Sequence, residues 1–273
     1  MKISMLIRIL LCTLVAAAFT AGASAQTAAG QIRAAKVEGQ VTKIRADNTT
    51  APLKNGDSLT ETDTVLTGKN GSVVLVFSNG SSVKVGTDSR LSIDEFKMDP
   101  LAQEIKPSEL KAEPSVSQTK LNLAYGEMVG DVKKLKASSS YSVKTPVGAA
   151  GIRGTIFRIV FRPSADGKAF FTVSTAEGKV VMEGVTPGEV PVDAGKEVVV
   201  EIDTDNPSNP NVKTQDIPAD TKAIIADAAK VITESLKDVV IPSGSGTPPP
   251  PPPPPPAEDT NKTDPDTTPG AGG

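Results

Sequence analysis

Between Gln31 and Ile202 apolar residues recur at every second position in short runs of Val, Ile, Thr and Phe, broken by Gly, Asn and Asp. That period belongs to half-buried strands joined by tight turns and predicts one mainly β domain over 31–202. The run Ser72–Phe77 leads through Ser78-Asn79-Gly80-Ser81 into Val83–Val85. Asn79 and Gly80 therefore mark a hairpin with a type I′ turn. A second hairpin is expected at Asp166-Gly167, pairing 156–161 with 169–175, and a further strand over 179–182 follows a turn at Glu177-Gly178. The stretch 97–118 carries Pro100, Pro107, Pro114 and many charges, so it reads as an exposed loop insertion with one helical turn at most.

The period changes to 3.6 near the C-terminus. Ile224, Ile225, Ala228, Val231, Ile232, Leu236 and Val239 line one face of an amphipathic helix over 219–241, with Asp220 as N-cap and Pro218 just outside. Such a face docks on its own domain or meets a partner, and Ile224, Val231 and Ile232 are its candidate contact residues. Its mixed charges do not suit a membrane surface. Beyond it, 242–273 holds nine consecutive prolines, Pro248–Pro256, and then a segment without large apolar residues. A stiff polyproline spacer or groove ligand followed by a disordered acidic tail is the expectation.

At the other end, Lys2 and Arg8 precede an apolar run over 9–19 and a small-residue ending, Ala23-Ser24-Ala25. This is the grammar of a secretory signal peptide over 1–25. The run is too short to cross a bilayer, and no membrane span is expected after cleavage.

Composition then removes whole classes of chemistry. The chain has no His and no Trp, and its single cysteine, Cys12, lies in the signal. Without His or Cys the mature chain has no Ser-His-Asp triad, His- or thiolate-bound zinc, or thiol nucleophile. Loss of Lys2 and Arg8 takes the formal charge from −3 to −5, which lacks the basic footprint that nucleic acid requires. No catalytic residue, metal or cofactor is expected. Asp203, Asp205, Asn206 and Asn209 are oxygen-rich, but they lack the glycine and bidentate glutamate of a calcium loop. No carboxylate pair stands out for glycoside hydrolysis, and the aromatic residues fall on strands as core positions.

One constellation is left. Gly148, Gly151 and Gly154 stand beside Arg153 and Thr155. Freed backbone amides and a guanidinium could hold an anion; alternatively the glycines form a structural turn or bulge, fixed by Arg153 bound to a carboxylate or to carbonyls. A strand rather than a helix follows, which favours the structural reading.

These residues carry a resemblance. Leu53-Lys54-Asn55-Gly56-Asp57-Ser58-Leu59, Val65-Leu66-Thr67-Gly68 and the 71–81 segment resemble the opening half of the FecR domain. Leu121 to Val129, Val143 to Phe157 and Val173 to Val181 resemble its later half, so the similarity covers about 37–184. It implies a β-rich module outside the cytoplasmic membrane, a single sandwich or roll-like domain, although spacing alone also suits a short β-helix. The best-known members relay a signal from an outer-membrane receptor to a sigma factor. This sequence shows neither their cytoplasmic N-terminal domain nor a membrane span beyond the signal. The expected role is therefore an exported, periplasmic or secreted, non-catalytic sensory, scaffolding or binding module. Its partner is an envelope protein, met through Arg153, the helix face or an exposed strand edge. The alternative is a structural protein that binds peptidoglycan or another wall polymer.

Overall fold

The computed structural model describes residues 28–204, 206 and 208–244; the expected signal peptide over 1–25 and the proline-rich and acidic segments of 245–273 lie outside the described residues. The described strands, in chain order, are β1 (Ala28–Ala29), β2 (Ile32–Glu38), β3 (Val41–Ile44), β4 (Thr50–Pro52), β5 (Ser58–Leu59), β6 (Thr64–Thr67), β7 (Ser72–Phe77) and β8 (Ser82–Val85). They continue as β9 (Ser89–Met98), β10 (Ser117–Asp131), β11 (Ser140–Thr145), β12 (Gly148–Pro163), β13 (Lys168–Glu183), β14 (Val190–Asp193), β15 (Lys196–Asp203) and β16 (Asn211–Asp216), and a helix, α1 (Ala219–Ser235), follows. The protein is mainly β, and its strands join into one hydrogen-bonded sheet.

Three long strands organise that sheet by changing neighbours halfway along. The first half of β10 pairs with β9 and β11, and its second half with β8 and β12. The first half of β12 pairs with β11, the second with β10. Likewise β13 pairs first with β15 and then with β14. The sheet is thereby folded into two layers, one running β4-β3-β6-β9-β10-β11-β12-β13-β14 and the other β5-β2-β7-β8-β10-β12-β13-β15-β16. The layers face each other: Phe77 of β7 and Phe96 of β9 meet edge to face, with ring centroids 5.0 Å apart.

Each long strand turns its corner at a glycine with positive φ: Gly126 (111°), Gly154 (60°) and Gly178 (76°). The parity of burial switches there. In β12 the buried positions are Ala150 and Ile152 before Gly154, then Thr155, Phe157, Ile159 and Phe161 after it. The extra residue of a bulge re-aims every later side chain, which keeps the apolar set inside after the bend. Thus Glu177-Gly178 is a bulge within β13 and not the turn before a separate strand, because the ladder to β12 resumes at Lys179.

The two expected hairpins form, β7 with β8 and β12 with β13. At the first the geometry differs from type I′: Gly80 has φ 87° while Asn79 stays in the ordinary region, and Phe77 N–H donates to the Ser81 carbonyl across a three-residue loop. Asn79 is wholly buried, its amide donating to Ser117 Oγ at 3.1 Å and its oxygen accepting from Ser81 N–H. A buried side chain with those bonds fixes the turn without a second positive φ.

The segment 97–118 exposes many of its residues but is pinned at several buried ones. It holds a short 3-10 turn at Pro107–Glu109, and Leu101 and Ile105 are buried and bridge to Gly244 and Ile241. Glu113 is buried too and accepts hydrogen bonds from Ser117 Oγ (2.7 Å), Ser139 Oγ and the Lys136 N–H. One carboxylate thus ties this segment to the β10–β11 connection.

Strands continue past 202 to Asp216, where Ile217-Pro218 opens α1. The helix starts on Pro218 rather than capping on Asp220, whose carboxylate instead accepts the N–H of Thr221. It ends at Ser235, earlier than 241, and packs on β8, β10 and β12. Thr221, Ile225, Ala228 and Ile232 form its buried stripe. Ile225 and Ala228 cover Val129, which β10 points away from the interlayer core.

Candidate functional site

The glycine-rich segment 148–155 forms the first half of β12 and its corner. The bulge at Gly154 turns Arg153 outward and Thr155 inward, so Thr155 is 2% exposed while Arg153 is on the surface. The two side chains lie on opposite sides of the sheet and do not share one anion. The expected clamp of Arg153 is not formed either: among the described residues it has no hydrogen bond or ion pair. Its cross-strand neighbour is Lys179, whose ammonium lies 3.9 Å from Asp193. Arg153 and Lys179 line an open cleft of about 370 Å³ with Glu183 and Glu189. Gly178 fits tightly at the same corner, since a Cβ there would sit 2.5 Å from the Gly154 carbonyl oxygen.

The helix residues separate as well. Ile224 is 41% exposed, Val231 is half-buried against the core, and Ile232 is 1% exposed. Ile232 therefore cannot meet a partner, because it faces the sheet. Of the helix candidates Ile224 alone presents a large apolar side chain to solvent; elsewhere Phe170 and Val240 are also exposed.

The edges of the sheet are unequal. β1 and β5 have two residues each, β4 has three and ends on Pro52, and β14 has four with Pro191 among them. These are short or proline-blocked edges of the kind that resist further pairing. β16 is different: six residues, Asn-Val-Lys-Thr-Gln-Asp, without proline or register shift, pairing with β15 on one side and, among the described residues, open on the other. Lys196 of β15 donates to Asp216 at 2.7 Å, and that bond holds the Asp216 carboxyl below its ordinary range and raises the lysine.

Two further features escaped the sequence. One is the buried carboxylate of Glu113. The other is the cleft between β2 and the end of α1, lined by Arg33, Lys36, Glu234 and Asp238, residues some 200 positions apart that no local motif could join. Asp203 ends β15, Asn206 and Asn209 belong to the β15–β16 connection, and Asp205 lies outside the described residues. No cluster of metal-binding side chains and no helix long and apolar enough to span a membrane occurs among the described residues.

Comparison with known proteins agrees with the motifs. The family model described as FecR protein matches residues 63–181, from the start of β6 to the second half of β13, so this stretch of the chain is similar to the FecR family. The match holds all three cornered strands and leaves β16 and α1 outside. No curated protein matches the sequence. Two crystal structures, at 1.65 and 2.50 Å, of a protein proposed to be an anti-sigma factor from Parabacteroides distasonis ATCC 8503 are similar to this chain at 13% identity and a TM-score of 0.40. The similarity covers 56% of this chain and 59% of that one.

Proposed function

We propose that the protein is a non-catalytic, exported module of the bacterial envelope that binds a protein partner by strand addition along β16. The observation that carries this reading is the open, unblocked edge of β16 beside edges that are short or end on proline. Backbone groups on such an edge offer main-chain hydrogen bonds to an extended segment, while Val212, Thr214 and Asp216 on one face and Lys213 and Gln215 on the other select its side chains. The FecR match supports a sensory or regulatory task, and the lack of His and Cys in the mature chain leaves the common nucleophile systems without parts. Export rests on the leader 1–25.

The test is in-cell crosslinking of the full chain with a photoreactive residue at Lys213 or Gln215, and at the exposed Lys69 in the β6–β7 turn as control. One partner captured from the β16 sites alone, which also slows amide exchange over 211–216 when purified and added back, supports the reading. Equal capture from Lys69, or unchanged exchange at 211–216, refutes it.

A further inference from the structure

One cleft lies away from β16 and outside the FecR match. It measures about 520 Å³ and is lined by Arg33 and Lys36 of β2, Ala34, Ala35 and Gly56 as its floor, and Glu234, Asp238, Val239 and Val240 at the end of α1. That volume falls within the range of sites for small ligands.

Its charges are unusual in being unspent. Arg33 is half-buried, its Nε is shut off from solvent without a partner, and no ion pair or hydrogen bond engages its guanidinium among the described residues. A guanidinium in that state keeps its terminal N–H groups for a carboxylate fork. Lys36 is taken, 3.0 Å from Glu38. On the opposite wall Glu234 and Asp238 have no ion pair among the described residues, and they sit at the C-terminal end of a helix whose last turn holds no basic residue. Negative charge there opposes the helix dipole, and a cation relieves it.

The floor adds a backbone component. The β2–β7 ladder slips between Ala34 and Lys36, which takes Ala35 out of register, and Gly56 faces open space. Ala34 donates its N–H to the Asp57 carbonyl and accepts from the Gly56 N–H, so the bulged Ala35 is the floor residue whose main chain leaves the ladder. Small side chains below and two valines at the rim suit a ligand with short aliphatic groups.

We propose that this cleft binds a short peptide bearing both a free carboxylate and a free amine, the carboxylate on Arg33 and the amine between Glu234 and Asp238. The floor of Ala34, Ala35 and Gly56 accommodates its main chain. The site is independent of strand addition at β16.

The experiment is calorimetric titration of the mature full chain with tetra-alanine, N-acetyl-tetra-alanine and tetra-alanine amide. Tetra-alanine binds saturably, and each blocked form binds at least about tenfold more weakly. Arg33→Gln abolishes discrimination between acid and amide, whereas Glu234→Gln with Asp238→Asn abolishes discrimination between amine and acetyl; circular dichroism checks that both variants stay folded. Because Glu234 and Asp238 are exposed, the second variant reads the site even where the first disturbs β2. Equal affinity for all three peptides, no saturable heat up to about 10 mM, or unchanged discrimination in a folded variant overturns the proposal.

Discussion

Replacing Gly126 by alanine tests the corner geometry most directly. At φ 111° an alanine is strained, which costs about 1–2 kcal/mol. Its Cβ would also lie 2.1 Å from Ser89 Oγ, 2.3 Å from Ser89 Cβ and 2.4 Å from Ser89 Cα. The last of these is a backbone atom, so a rotamer change cannot relieve the overlap, and β9 and β10 must part where Ser89 Oγ accepts the Glu127 N–H at 3.0 Å. Overpacking of this kind adds about 1–3 kcal/mol, giving a total of about 2–5 kcal/mol. Gly56 supplies the control: its φ is 84° and an alanine Cβ there would meet nothing within 4 Å, so Gly56→Ala carries the strain alone, about 1–2 kcal/mol. Urea unfolding followed by far-ultraviolet circular dichroism measures both, with an unchanged slope confirming that the midpoint shift is one of stability. Adding Ser89→Gly to Gly126→Ala removes the side-chain clash but leaves the overlap with the backbone of β9, so recovery should be partial. If Gly126→Ala loses no more stability than Gly56→Ala, the corner is not a close crossing of backbones and the argument fails.

Three other outcomes are expected. Ile232→Asp places an unpaired charge at a position 1% exposed and should destabilise by about 3–5 kcal/mol, whereas Ile224→Asp, on the open face, should change stability by less than about 0.5 kcal/mol; similar midpoint shifts for the two would contradict the orientation of α1. Glu113→Ala leaves Ser117 Oγ, Ser139 Oγ and the Lys136 N–H without their acceptor and should cost about 3–5 kcal/mol, with faster amide exchange across 132–139; unchanged exchange would show that the carboxylate does not hold that connection. The Glu95 carboxyl is held below the ordinary glutamate range, first by its hydrogen bond from Lys120 at 2.6 Å and then by the charges of Lys120 and Lys97. A depressed folded-state value contributes stability that is present above the unfolded carboxylate range and is lost as pH falls through the folded-state value, so the stability gap between wild type and Glu95→Gln should be full near neutrality and shrink as pH falls below the ordinary glutamate range. A gap independent of pH, read from urea midpoints, would refute that link.

Local rules made much of the fold legible. Alternation marked the strands, Asn79-Gly80 and Asp166-Gly167 marked the hairpins, and the stripe from Ile225 to Ile232 marked α1. The corners were harder because glycine reads alike as turn or bulge; yet the phase change from Phe171 and Val173 to Val180 and Met182 was present in the sequence and distinguishes a continuing strand from a new one. The burial of 97–118 was invisible for a different reason. Prolines and charges signal a loop, whereas what holds it is Glu113 meeting Ser139 and Ile105 meeting Ile241, both distant in sequence. The same distance hid the cleft of Arg33, Glu234 and Asp238, while Arg153 stood out in its motif but faces solvent.

Sharing β10, β12 and β13 between both layers sets how the molecule can come apart. A sandwich of two separate sheets can lose one while the other lingers, but here each layer owns only half of each long strand, and freeing either half removes the covalent and hydrogen-bonded frame of its counterpart. The slowest-exchanging amides should thus lie on both sides of Gly126, Gly154 and Gly178 with a common opening free energy, one cooperative unit rather than two. Assembly inherits the same constraint in reverse: α1, from beyond residue 218, must cover Val129 of β10, so the last turn of the route waits on the last part of the described chain. Pairings of such long range place folding among the slow β topologies, on the scale of about milliseconds to seconds.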